Sequence, residues 1–207
     1  MSQTPIELVA YTPAWTTAYE REAARIREAA GEHVVALEHV GSTAVPGLAA
    51  KPIVDLLGGV ERLADADAAV DALEAIGYDY CPAFEESLPQ RRYFRRTVNG
   101  HHTHHLHVVR RDSDFWDRHV RFRDCLREDP DLARAYEQLK RRLARDHTDD
   151  IDGYTEGKTE FIERVLDGDR DGWVLDETRH DAHCGDHSGN ETRHDAHCGD
   201  HSENETR

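Results

Sequence analysis

The spacing of apolar residues changes several times along the chain, and each change marks a new element. Residues 34–40 and 53–57 are short, dense apolar runs, and the segment between them carries Gly41-Ser42-Thr43 and Pro46-Gly47. Runs punctuated in this way predict strand, loop, strand. Upstream, residues 6–10 predict a further short strand. Thr12 and Pro13 then supply a cap and first turn for a helix to about residue 30, with Trp15, Tyr19, Ile26 and Ala30 on one face. Helical spacing returns at Leu63, Ala66, Val70, Leu73 and Ile76, and Gly77 is placed to stop it. Residues 92–98 and 103–109 read as strands joined by Asn99-Gly100, so a hairpin is expected. The last third is helical. Phe115, His119, Phe122 and Leu126 mark one helix; Leu132, Tyr136, Leu139, Leu143 and His147 mark a second, opened by Asp129-Pro130; Tyr154, Lys158, Phe161 and Val165 mark a third. The pattern predicts an α+β fold, a mixed β-sheet with packed helices and a helical C-terminal third.

The pattern ends near residue 176. Residues 177–190, ETRHDAHCGDHSGN, recur almost unchanged as 191–204. A polar fourteen-residue repeat cannot build a core, so one globular domain is expected over 1–176 and a disordered tail over 177–207. Each copy contains His-x-x-His-Cys-x-x-His, at His180, His183, Cys184 and His187 and again at His194, His197, Cys198 and His201. These donors suit Zn, Ni or Cu, but near-identity of the copies fits a repeat expansion with adventitious metal affinity.

Charge narrows the partners. The formal net charge is −16, and 23 arginines against 3 lysines form no basic block, so nucleic acid is not expected as the main partner. An acidic, lysine-poor surface is the kind that stays hydrated in a high-salt cytoplasm. The N-terminus shows no basic leader and no apolar run reaches about eighteen residues, so a cytoplasmic protein with no membrane span is expected. Cys81 and Cys125 stand isolated, which is no disulfide framework.

Asp55 interrupts the apolar run 53–57, with Lys51 four residues before it. An ionised carboxylate there needs a partner, so Asp55 is either a satisfied strand-end residue or one that binds a cation or ligand. Alternation puts His105 and His107 on the same strand face, about 7 Å apart at Cα, with His104 pointing the other way. Both rings are then able to address one ion or one anion, unless they belong to an exposed histidine-rich turn. His39 precedes the glycine turn and is a candidate third ligand or a partner for Asp55. Gly41, Ser42 and Thr43 are suited to cradle a phosphate, since glycine permits close approach and hydroxyls donate without charge. Arg92, Arg95 and Arg96 add positive charge on the next strand, and Arg123 and Lys158 lie on helices able to close the pocket.

His39-Val40-Gly41-Ser42-Thr43-Ala44-Val45-Pro46-Gly47-Leu48 followed by Ala50-Lys51-Pro52-Ile53-Val54-Asp55 resembles the signature of the GrpB family, and the likeness extends through Arg92-Tyr93-Phe94-Arg95, His105-Leu106-His107-Val108-Val109, the 116–126 segment, Tyr154 and Lys158. The resemblance implies a nucleotidyltransferase-like fold. It also implies a partial transferase site, with Gly41-Ser42 and Asp55 in place, Leu57 where a second carboxylate belongs, and His105 and His107 where a third is expected. On this footing Lys51 and Asp55 are the candidate catalytic pair. Gly41, Ser42, Thr43, Arg95, Arg123 and Lys158 are candidate phosphate-binding residues, and Asp55, His105, His107 and His39 the candidate ligands of a divalent metal (Mg, Mn or Zn). The expected function is metal-dependent nucleotidyltransferase-like action on a nucleotide or other phosphorylated metabolite. The alternative is a non-catalytic nucleotide or coenzyme A-related binding or chaperone-like module, since GrpB-like domains also occur fused to dephospho-coenzyme A kinase.

Overall fold

A computed structural model describes residues 6–168. The proposed repeat tail, with its histidine and cysteine motifs, lies outside the described residues. Helix α1 (Ala14–Ala30) starts where Thr12 Oγ1 accepts from the Ala14 amide, and buries Trp15, Ala23, Ile26 and Ala30. Strand β1 (Ala36–Val40) leads through a 3₁₀ turn (Ser42–Ala44) and a loop to β2 (Val54–Val60). The 63–76 stripe folds as two short helices, α2 (Leu63–Ala68) and α3 (Val70–Ala75), rather than one. Next come the two-residue strand β3 (Asp79–Tyr80), which the apolar pattern did not announce, then β4 (Arg91–Val98) and β5 (His101–Arg110). Their turn holds Asn99 at φ 52° and Gly100 at φ 81°, the two left-handed residues that a tight hairpin requires.

The helical third comprises α4 (Asp114–Glu128), capped by Ser113; α5 (Pro130–Asp146), capped by Asp129; α6 (Ile151–Glu156) and α7 (Thr159–Leu166). The single helix expected around Tyr154 and Phe161 is thus broken at Gly157. The strand expected over 6–10 is reduced to one bridge, Val9 to Ala50.

The sheet order is β1-β2-β5-β4-β3, with β2 and β5 parallel and the other neighbours antiparallel. From β2 the chain crosses by α2 and α3 to the far edge and returns inward strand by strand. The mixed sheet with packed helices is therefore as expected. Parity divides its two faces. Leu37, Val54, Leu56, Phe94, Leu106 and Val108 join Ile26 and Leu73 in an apolar core under α1 to α3. On the other face Val40, Leu57 and Val109 take Trp116 of α4, and a second cluster formed by α4 to α7 with Val45 and Leu48 closes the end of that face. Leu57, at the expected second-carboxylate position, is fully buried in this packing.

The open side of β1 is not bare. Tyr19 Oη donates to the Leu37 carbonyl at 2.9 Å, and Arg123 Nη1 donates to the His39 carbonyl at 3.0 Å.

Candidate functional site

Asp55 pairs with Val40 across β1 and with His105 across β5, so all three side chains leave the sheet on the α4 side. Asp55 Oδ1 lies 3.2 Å from His105 Nδ1. Burial alone pushes this carboxyl up, but the hydrogen bond to His105, with Lys51 behind it, holds it below its ordinary value, so it is ionised at neutral pH. Gly41, at φ 71°, presses its backbone against the carboxylate: a Cβ there would stand 2.4 Å from Asp55 Oδ2. Two independent constraints, conformation and space, thus require glycine at the turn.

Two lobes flank this carboxylate. The first is built on β4, β5 and α4. His107 stacks on Tyr93 (centroids 5.0 Å apart) and faces Phe115 and His119 at 5.9 and 6.3 Å. Burial pushes His107 down to about 3, with Asp55 opposing and Arg91 and His119 adding to the shift, so the ring is neutral at physiological pH. His119, stacked on Phe115 and bonded through Nδ1 to the Phe115 carbonyl, is lowered by burial as well. Arg91 lies 5.0 Å over Tyr93, and its Nη1 is 3.3 Å from His107 Nδ1.

The second lobe is built on the loop before β2, α5 and the α6–α7 junction. Lys51 and Lys158 both lie over the ring of Tyr154, at 5.4 and 4.2 Å from its centroid. Burial, helped by Lys51 and opposed by Asp55, holds Lys158 down to about 8. The Tyr136 hydroxyl, whose pKa burial raises, reaches the Ser42 side chain.

Several expected residues arrive together here: Gly41, Ser42, Lys51, Asp55, His105, His107 and Lys158, with Arg95 beside His105 in the register and bonded to Cys81 Sγ. Others do not. His39 pairs with Leu56 and so leaves the opposite face, where it stacks on Tyr19 at 4.8 Å and shares a 3.1 Å hydrogen bond with Thr43 Oγ1. Thr43 is buried in that contact rather than presented to a ligand. Arg123 is buried and committed to Glu38, Asp124 and the His39 carbonyl. Arg92 and Arg96 likewise leave on the other face, paired with Asp67 and Glu22. Arg91, Tyr93, His119, Tyr136 and Lys140 were not among the site residues expected from the sequence. Strand parity with Arg95 was a signal for Arg91 and Tyr93, whereas His119 and Tyr136 were hidden in apolar helix stripes.

The donor set does not fit a hard divalent ion such as Mg or Mn. Among the described residues no three His, Cys, Asp or Glu side chains come together as a metal group. The one central carboxylate is flanked by Lys51, and the cationic Arg91 faces His107 Nδ1, whereas hard divalent ions favour several oxygen ligands. A groove of about 410 Å³ on the α4–α5 side, lined by Pro46, Leu48, Leu126, Arg127, Pro130 and Glu137 among others, includes none of the residues brought together around Asp55.

An α+β domain with a glycine turn seated on a strand carboxylate, between an imidazole lobe and a lysine lobe, is what these observations define. The model of the GrpB protein family matches residues 5–168, and the chain belongs to that family. It is 36% identical over 157 residues to the UPF0157 protein YqkA of Bacillus subtilis, which covers 76% of this chain but only 45% of that protein. It is 30% identical over 181 residues to a dephospho-CoA kinase of Mycolicibacterium paratuberculosis, covering 74% of this chain and 43% of the kinase. The chain thus spans less than half the length of these two relatives. Among solved structures, the conserved protein GrpB of Enterococcus faecalis matches with a TM-score of 0.70 at 39% identity, covering 79% of this chain and 96% of the other. No helix among the described residues is long and apolar enough to cross a membrane.

Proposed function

We propose that the protein binds a nucleotide or another phosphorylated metabolite on the α4 side of the sheet, with its phosphate at the Gly41-Ser42 turn and its remaining groups toward Asp55 and His105. The observation that carries this reading is the seating of Gly41 on the Asp55 carboxylate beside two lysines stacked on one tyrosine. Backbone without a side chain, a hydroxyl and ammonium groups are the donors a phosphate needs. The dephospho-CoA kinase relative puts coenzyme A and its precursors among the ligands to try, with nucleotides beside them. Binding is preferred over metal-dependent transfer because a single carboxylate and its cationic neighbours supply too few oxygens for two bridging ions.

The test is a thermal-shift and calorimetric screen of nucleotides, coenzyme A and dephospho-coenzyme A, with and without Mg or Mn. Saturable stabilisation is expected without added metal, of about 2.7 kcal/mol when the ligand stands at a hundred times its Kd. Lys51→Ala should remove it. If none of these compounds stabilises the parent, the reading falls; if stabilisation appears only with metal, the transferase expectation replaces it.

A further inference from the structure

The chain carries 23 arginines and only three lysines, and the three lysines lie over two aromatic rings of neighbouring helices. Lys51 and Lys158 share the Tyr154 ring. Lys140, almost wholly buried on α5, lies 5.0 Å over the neighbouring Tyr136 and donates to the Ala49 carbonyl in the loop that carries Lys51. Many of the arginines serve as partners of carboxylates: Arg25 and Arg96 on Glu22, Arg92 on Asp67, Arg123 on Glu38 and Arg141 on Glu137. Among the described residues none of the three lysines forms such an ion pair. Where basic positions are otherwise filled by arginine, these lysines differ in kind, being compact point charges rather than planar forks.

We infer that Lys51 and Lys158, with the buried Lys140 behind them, form one site for the terminal phosphate of a phosphate monoester, a tetrahedral dianion, and that the site requires ammonium groups. The inference rests on the binding reading above and narrows it to a ligand class. A monoester phosphate presents three free oxygens and nearly two charges at neutral pH, whereas a diester presents two oxygens and one charge. Compact ammonium groups approach such a group as point charges from different sides, where a guanidinium engages it as a flat bidentate fork.

The surroundings leave this positive charge without an ion pair at contact distance, the carboxylates that face it being Asp55 and Glu137. Lys158 faces Lys51, Asp55 and Tyr154; Lys140 faces Glu137, Arg141, Lys158 and Tyr136. Glu137 is already held by the Ala49 amide and by Arg141. Burial holds Lys140 down to about 7, with Glu137 opposing and Lys158 and Arg141 adding to the shift, while Lys158 stands at about 8. Near pH 8 these ammonium groups are therefore partly deprotonated, and an arriving dianion draws protons back onto them.

The full chain is titrated calorimetrically at pH 8 with methyl phosphate and with dimethyl phosphate, each in two buffers of different ionisation heat. Methyl phosphate is expected to bind with net proton uptake and dimethyl phosphate at least roughly tenfold more weakly, a difference of about 1.4 kcal/mol. Lys158→Arg and Lys51→Arg should each weaken methyl phosphate by a similar factor at an unchanged melting temperature. Lys140 is buried, so the decision rests on Lys158, which lies half-buried at the start of α7. Equal affinity for the two esters, binding without proton uptake, or Lys158→Arg binding like the parent each overturns the inference. In those cases stabilisation by a nucleotide or coenzyme A would still uphold the broader reading, and failure of every phosphorylated compound would sink both.

Discussion

Two carboxylates lie inside this domain on opposite faces of the same sheet, and their surroundings differ in kind. Glu22, 2% exposed, accepts two hydrogen bonds from Arg25 Nη1 (2.8 and 2.9 Å) and one from Arg96 Nη1 (2.7 Å); Arg25 goes on to the Ile76 carbonyl. That knot joins α1, the end of α3 and β4, and permanent cations within contact neutralise it. The Asp55 side chain keeps 30% of its surface, and its nearest partner is an imidazole. Its cationic neighbours, Lys51 and Lys158, make no ion pair with it. Charge settled at contact distance holds a fold together. Charge balanced across a gap leaves room for something else to enter the gap.

The largest effect expected from this contrast is at Glu22. Glu22→Gln should cost about 3–5 kcal/mol in urea denaturation, because two guanidinium groups lose their partner in a part-buried place. Asp55→Asn should cost less than about 1.5 kcal/mol in the ligand-free protein, the scale of one ordinary hydrogen bond. Equal losses in the two variants would break the contrast and make Asp55 a structural residue.

A second experiment sharpens it at the turn. Gly41→Ala meets both a left-handed backbone and the carboxylate oxygen, and about 1–3 kcal/mol of strain follows. Since the least costly relief is for Asp55 to swing away, methyl phosphate binding should weaken in the same variant. Loss of stability with binding intact would separate the turn from the site.

The smallest effect lies in pH. Lys158 is held below its unfolded value of about 10.4, so above pH 8 the unfolded chain binds more protons than the folded one. Apo stability should therefore gain a rising contribution from about pH 8 to 10.4, while phosphate binding falls over the same window. Partial exposure limits the gain to the order of 1 kcal/mol. Denaturation curves of the parent and Lys158→Met across that range should differ in slope, and identical slopes would show that Lys158 is not held down.

Much of the site was legible because it is local. The Gly41-Ser42 turn, the interruption at Asp55 and the same-face pair His105 and His107 all follow from short-range spacing, and the folded chain does bring Asp55 to His105. What could not be read was parity between strands. Whether His39 leaves the sheet with Asp55 or against it depends on the β1–β2 register, which no single-strand pattern contains, and the register sends it the other way. Arginine roles were hidden for the same reason: Arg95 and Arg96 look alike in sequence, yet one faces the site and the other holds Glu22. Helix breaks were invisible because they hardly disturb the periodicity. Ala69 and Gly157 both keep right-handed helical angles, so the apolar stripe continues through the break. Lys140 was passed over because its stretch of α5 reads as an ordinary amphipathic face.

The two side chains bonded to the outer carbonyls of β1 bear on how the molecule behaves in company. An exposed strand edge is a template on which a second chain can add its own strand, the first step toward aggregates and swapped assemblies. With Tyr19 on the Leu37 carbonyl and Arg123 on that of His39, two acceptors such an intruder needs are already taken. The same arginine that packs α4 against the sheet thus serves as a guard on its border, and the tyrosine that does so from α1 also stacks on His39. The edge of the sheet is in this way covered by residues whose other contacts belong to the fold itself.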